Sequence, residues 1–238
     1  MNSIKTIAKL NLKNIGLVYW IVGITTFVQL IQMIVLYFIL RDRYWLENME
    51  ISVGSFLYLL PLLAAILIPA LNFRRIVNIG GKRNNFLIGS LFSYIFIAVF
   101  ISLGNLAFHY TVDAYFERAQ FYNHDLFGGI ANLVEVFRWI ENGFVIAFLQ
   151  QTAFLFLVMT FIHTLTSIQD KWYGWVTDVF IIAIISVFTP IAVLRSSLIW
   201  FFNLIIFNQY AWFQIIACLV IGLSVYALNK PIYARKTI

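Results

Sequence analysis

Gly16-Leu-Val-Tyr-Trp-Ile-Val-Gly-Ile-Thr-Thr-Phe-Val-Gln-Leu-Ile-Gln-Met-Ile-Val-Leu-Tyr-Phe-Ile-Leu40 carries no charged side chain, and its nearest charges are Lys13 and Arg41. An α-helix needs about 20 apolar residues to cross a hydrocarbon layer ~30 Å thick, so this run is one membrane span. The rest of the chain repeats the theme. Of 238 residues, 62% are hydrophobic and 11% charged, too little charge to cover a soluble domain of that length. The pattern predicts an all-α integral membrane protein, a single transmembrane domain over 1–238. Its length accommodates six spans and one thick extracellular segment, with no additional soluble domain. The first apolar run is too long for the core of a cleavable signal peptide and lacks a small-residue cleavage pattern after it.

Working outward, Lys5, Lys9 and Lys13 recur at i, i+4 and i+8, with Ile4, Ile7, Ala8, Asn11 and Ile15 on the opposite side. This spacing predicts an amphipathic helix over 1–15 that lies in the headgroup region. After a charged break at 41–50, a second span covers 51–71, bent or irregular near Pro61 and Pro69, because proline removes a backbone hydrogen bond. A polar connection at 72–85 leads to a third span over 86–110. The insertion 111–142 contains a helix with Ile130, Leu133, Val134, Phe137 and Ile140 on one face and Glu135, Arg138 and Glu141 on the other, preceded by a break at Gly128–Gly129. A fourth span runs over 143–168 and a fifth over 172–190. The apolar stretch 189–209 is interrupted by Pro190, Arg195, Ser196, Ser197, Asn203 and Asn208. Neither half reaches about 17 residues, so it reads as a re-entrant hairpin. A sixth span, 210–228, ends before Asn229-Lys230-Pro231.

The charges orient this layout. One side holds Lys5, Lys9, Lys13, Arg74, Arg75, Lys82, Arg83, Lys171, Lys230, Arg235 and Lys236 against Asp170 and Asp178. The other side holds Arg41, Arg43, Arg118, Arg138 and Arg195 against eight carboxylates, giving +9 and −3 and hence the net charge of +6. The basic side is expected in the cytoplasm, with both termini. Basic residues at span ends set orientation, so the net charge gives no reason to expect a nucleic-acid partner.

Reactive groups are sparse. His109, His124 and His163 are scattered, and no His-x-x-x-His or Glu-x-x-His pair occurs, so an intramembrane enzyme has little support. Cys218 is alone, which excludes an internal disulfide or a multi-cysteine metal site. Asp178 is the one carboxylate inside a predicted span, where it could serve a proton or ion, although near the interface it is readily hydrated. Gln29, Gln32, Asn105, Gln150 and Gln151 are explained by hydrogen bonds between helices. No Gly-x-x-x-x-Gly-Lys-Ser/Thr sequence occurs, so the chain binds no ATP as a P-loop enzyme. An ion- or proton-coupled carrier, or a channel-like protein with no ATPase, stays open; Asp178 would matter to it and Arg74 and Arg83 would not.

The connection at 72–85 carries the strongest functional signal. Phe73, Ile76 and Val77 form one face of a two-turn helix, Arg74, Arg75 and Asn78 the other, and Gly80 supplies its stop. Asn84 or Asn85 would cap the third span. On physics alone this basic knob is either a docking element for a cytoplasmic partner or a loop that only fixes topology.

The segment Phe73-Arg-Arg-Ile-Val-Asn-Ile-Gly-Gly-Lys-Arg-Asn-Asn-Phe-Leu-Ile-Gly89 resembles the coupling region of permease subunits of type-two ABC exporters. That family includes lantibiotic-immunity, bacitracin-resistance and phenol-soluble-modulin export permeases. The resemblance extends over the whole chain as layout. It implies an N-terminal elbow helix (1–15), six spans, a cytoplasmic coupling helix between the second and third (72–85), and extracellular re-entrant helices between the fifth and sixth (189–209). It further implies that Phe73, Arg74, Arg75, Ile76, Gly80, Arg83 and Phe86 contact, or shape contact with, a separate ABC ATPase. That subunit would bind ATP and Mg, while this chain holds no cofactor. A homodimer or heterodimer of permeases in the bacterial plasma membrane follows, with a translocation path between second and fifth spans near Pro61, Pro69 and Pro190. An aromatic content of 18% would suit a hydrophobic or amphipathic peptide as cargo, and equally suits interface anchoring. The insertion 111–142 departs from the family's usual short loop.

Overall fold

Apolar runs without proline or a cluster of charges fold as helices, and these dominate the computed structural model, which describes residues 4–39, 50–114, 130–208 and 210–234. The chain begins with α1 (Ile4–Asn14) and α2 (Gly16–Ile39), bent by 47° to one another. A 3-10 turn (Val53–Tyr58) leads into α3 (Leu59–Leu67), a π-turn (Ile68–Asn72) and α4 (Phe73–Asn78). Then come α5 (Arg83–Phe108) with a π-turn at its end (His109–Asp113), the short α6 (Leu133–Val136) and α7 (Phe144–Ile168). The chain continues as α8 (Trp172–Phe188), α9 (Ala192–Ile205), α10 (Ala211–Ala227) and α11 (Asn229–Ala234). Among the described residues the one strand pairing is a two-residue parallel contact of Glu50–Ile51 with Ile130–Ala131. The charged break at 41–49, most of the insertion (115–129, with His124, Gly128 and Gly129), and Arg235 and Lys236 lie outside the described residues.

Four helical stretches are long and apolar enough to cross a membrane: Val53–Asn78, Arg83–Asp113, Phe144–Ile168 and Ala211–Ala234. Two bent pairs, α1 with α2 and α8 with α9, raise the number to six if each is one span. Four to six candidate spans are consistent with a multi-pass membrane protein.

Several boundaries differ from the sequence reading. The second candidate span does not stop at Leu71 but continues through the π-turn into α4. Pro61 sits in the first turn of α3, where a missing N–H is tolerated, and Pro69 sits in the π-turn, the irregularity expected of it. Helix α5 starts at Arg83, so that extended Lys82, and neither Asn84 nor Asn85, holds the capping position. The insertion helix is not continuous: Arg138 adopts φ 58°, the left-handed region, and breaks it between α6 and a 3-10 turn at Trp139–Asn142. The fifth-span region turns by 116° at Thr189–Pro190–Ile191, since Pro190 offers no N–H to continue α8.

The packed centre is α5 and α7, flanked by α1, α3, α10 and α11. The α8–α9 hairpin is different. Gly174 is the only buried residue of α8 and Ile205 the only one of α9, so Trp172, Trp175, Val179, Phe180 and Trp200 stand exposed. Water would penalise that surface heavily, whereas lipid tails are as apolar as the side chains.

Candidate functional site

At the end of the bundle that gathers most of the described basic residues, α4 is held by its inner face. Phe73 and Ile76 are fully buried. The Phe73 ring meets Phe86 at 5.4 Å between centroids and Tyr233 at 4.4 Å, and Phe86 meets Tyr233 edge-on at 5.6 Å. This aromatic cluster joins α4 to α5 and α11 and continues to His163 of α7, which faces Tyr94 and Tyr226. Tyr233 hydroxyl shares hydrogen bonds with Ser167 (2.7 Å) and His163 Nε2 (3.3 Å). Aromatic pairs of this geometry contribute about 0.5–1.5 kcal/mol each beyond simple burial, so α4 is fixed to the bundle.

The outer face of α4 is open. Arg74 and Arg75 are exposed, as is Ile79 just beyond. Arg74 reaches Asp170 at 4.0 Å, a solvent-exposed pair worth at most about 1 kcal/mol. The helix ends in a Schellman motif: Gly80 N–H donates to Val77 carbonyl (2.9 Å) and Gly81 N–H to Ile76 carbonyl (2.8 Å). Gly80 takes φ +82°, and a Cβ on Gly81 would sit 2.5 Å from Ile76 Cγ2, so each glycine is required for its own reason. Arg83 is turned inward. Its Nη1 donates to the carbonyls of Tyr233 (2.9 Å) and Ala234 (2.8 Å) in the last described turn of α11.

A polar clasp ties this region to α1. Asn72 Nδ2 donates to Asn11 Oδ1 (3.1 Å), Asn11 Nδ2 to Ser90 Oγ (3.2 Å), and Asn14 Nδ2 to Asn72 Oδ1 (3.0 Å). Sequence reasoning missed the clasp and Tyr233, and gave His163 only as one of three scattered histidines. Asn11 gave a signal, because an amide on the apolar face of an amphipathic helix implies a buried partner.

The remaining candidates lie elsewhere. Pro61 and Pro69 are buried along the second candidate span, and Pro190 is exposed in the α8–α9 turn. Asp178 is half-buried in α8 and accepts a hydrogen bond from Gln169 Nε2.

The opposite end holds a polar network that sequence reasoning did not assemble. Ser52 Oγ donates to Asp113 Oδ2 (2.7 Å), and Asn132 Nδ2 reaches Asp113 Oδ2 (3.0 Å) and Ser52 Oγ (3.1 Å). Asn105 Nδ2 donates to Asn132 Oδ1 (3.2 Å) and Tyr58 hydroxyl (3.1 Å), and Gln151 Nε2 to the same hydroxyl (2.6 Å). His109 Nδ1 stands 3.8 Å from Asp113 and 3.5 Å from Glu135. Asp113 is only 1% exposed, so Asp178 is not the only carboxylate within a candidate span. Among the described residues no group of three or more His, Cys, Asp or Glu is arranged to hold a metal ion. Comparison with protein families, with curated proteins and with solved structures found no match for this chain.

Proposed function

We propose that the chain is the membrane-spanning permease subunit of an ATP-driven exporter of the type-two ABC class. A separate ATPase subunit docks on α4 and the turn after it. One observation carries the reading: α4 continues a candidate span, its inner face locked by Phe73, Ile76 and Phe86 while Arg74, Arg75 and Ile79 stand outward. A basic, rigidly mounted helix end suits a partner that must push on the bundle, because displacement of the helix is passed on by packed side chains. In this reading α1 is the elbow at the cytoplasmic surface, α8 and α9 are the fifth span and a re-entrant helix, and both termini are cytoplasmic. The permease pairs with a second copy or a paralogue. The path runs near Pro61, Pro69 and Pro190, with irregular backbone at the Pro69 π-turn and the Pro190 bend, and the cargo is a hydrophobic or amphipathic peptide leaving a bacterial cell. ATP and Mg reside on the partner.

The test is affinity purification of the full chain in mild detergent. A P-loop ATPase should copurify, and Arg74→Glu with Arg75→Glu should abolish both its recovery and its stimulation. Undiminished recovery and stimulation with that variant overturn the docking role. Arg83 is a poor probe, because its substitution also releases the end of α11.

A second reading, an ion- or proton-coupled carrier without an ATPase, draws on the buried Asp113 beside His109 and Glu135 more than on half-buried Asp178. Transport by the reconstituted chain alone, lost in Asp113→Asn, would favour it.

A further inference from the structure

We infer that the groove between α1 and α5 holds an acyl chain of an anionic phospholipid whose headgroup is bound by Lys5, Lys9 and Lys13. The groove has a volume of about 420 Å³ and is walled by Ala8 and Leu12 of α1 and by Phe92, Ile95, Phe96 and Val99 of α5. Its one polar lining group, Ser93 hydroxyl, is already donated to Gly89 carbonyl at 2.9 Å. With its proton committed and its side chain fully buried, Ser93 adds almost no polarity, so the groove suits an apolar occupant. The space is also too small for a helix about 10 Å across, and an acyl chain meets both conditions.

The charges sit where a headgroup would. At about 100° per residue, Lys5 stands roughly 20° and Lys9 roughly 60° around α1 from Leu12, on the side away from buried Ile7, Asn11 and Ile15. All three lysines are exposed. Moving around α1 from its contact with α5, one meets the buried face, then the groove wall, then a row of cations about 12 Å long. Lysines near a membrane surface favour anionic lipid, and the adjoining groove turns that general attraction into a single seat. The close approach of the two helices fixes the groove: a Cβ on Gly89 would lie 2.8 Å from Ile7 Cγ2. This inference does not depend on ATPase docking.

Native mass spectrometry of the purified, delipidated full chain tests it, with phosphatidylglycerol or phosphatidylcholine of identical acyl chains added. One phosphatidylglycerol should be retained well beyond phosphatidylcholine. Replacing Lys5, Lys9 and Lys13 by Gln should weaken retention of phosphatidylglycerol to the level of phosphatidylcholine and so erase the preference, with Lys5, the lysine beside the groove wall, contributing most. Ala8→Phe fills the groove and Phe96→Asn, at an exposed position, makes it polar; both should lower retention of either lipid. Equal retention of the two lipids by the wild type, or unchanged retention in the lysine or groove variants, overturns the proposal. So does competition by free glycerol phosphate as strong as by the lipid, which would assign the lysines to a soluble anion.

Discussion

Replacing Gly89 by Ala should destabilise the protein by forcing α1 away from α5, and a second substitution should reverse much of that. An added Cβ would lie 2.8 Å from Ile7 Cγ2, 3.1 Å from Ile7 Cβ and 3.4 Å from Ala8 N. The first contact is closer than a Cβ adopts and the second is tight enough that Ile7, itself fully buried, must give way. Overpacking of this kind costs about 1–3 kcal/mol. For a chain of 238 residues each kcal/mol lowers the unfolding midpoint by about 2–4 °C, so a drop of roughly 2–12 °C is expected. Ile7→Ala alone should also destabilise, through the cavity it leaves, although the transfer part of that cost shrinks where lipid replaces water. Combined, the new methyl of residue 89 enters the space vacated by Ile7, and the two losses should not add. The assay is thermal unfolding of the four proteins of this cycle in one detergent, followed by tryptophan fluorescence. Strict additivity within about 0.5 kcal/mol would refute the close approach of α1 and α5.

Three further outcomes are expected. Trp139→Phe removes the Nε1–H donated to Ile206 carbonyl at 2.9 Å and should cost about 1 kcal/mol, read as a lowered unfolding midpoint; the control Trp212→Phe, at an exposed site, should leave the midpoint unchanged. Asp113→Ala leaves the buried Ser52 hydroxyl without its acceptor and removes one of the acceptors around Asn132 Nδ2, and should cost about 1–3 kcal/mol, read as a lowered unfolding midpoint. Single cysteines at residues 78 and 141, both exposed, placed in a chain with Cys218→Ala, should label from opposite sides of sealed cells, 141 from outside. The reverse pattern would invert the proposed orientation.

Local features were legible in the sequence, and long-range pairings were not. The uncharged run from Gly16 gives α2, the lysine spacing gives the exposed edge of α1, and Gly80 ends α4, because each depends on residues within a turn or two. Asp113 escaped notice because the helix of the third span continues past Tyr110 through a π-turn, and polarity alone looked like a loop. Its partners Ser52 and Asn132 lie 61 and 19 residues away, separations that no periodicity encodes. The break at Arg138 was hidden for a related reason. The apolar spacing of Val134, Phe137 and Ile140 fits a helix, yet burial of Trp139 and its bond to Ile206 favour a left-handed residue before it. Arg83 read as a coupling residue of the basic turn, and its bonds to the Tyr233 and Ala234 carbonyls, 150 and 151 residues away, left no mark in the local pattern.

The continuity of Val53–Asn78 has a mechanical consequence. At about 1.5 Å per residue a helix of 26 residues is a rod of roughly 39 Å. Its lower end carries the arginines of α4, and its upper end follows directly on Ser52 and its bond to Asp113. Pivoting such a rod by about 5° around one end sweeps the other through about 3 Å, more than the 2.7 Å length of that bond. A tilt of the arginine end that the packed side chains transmit along the rod would thus be felt at the Ser52–Asp113 bond.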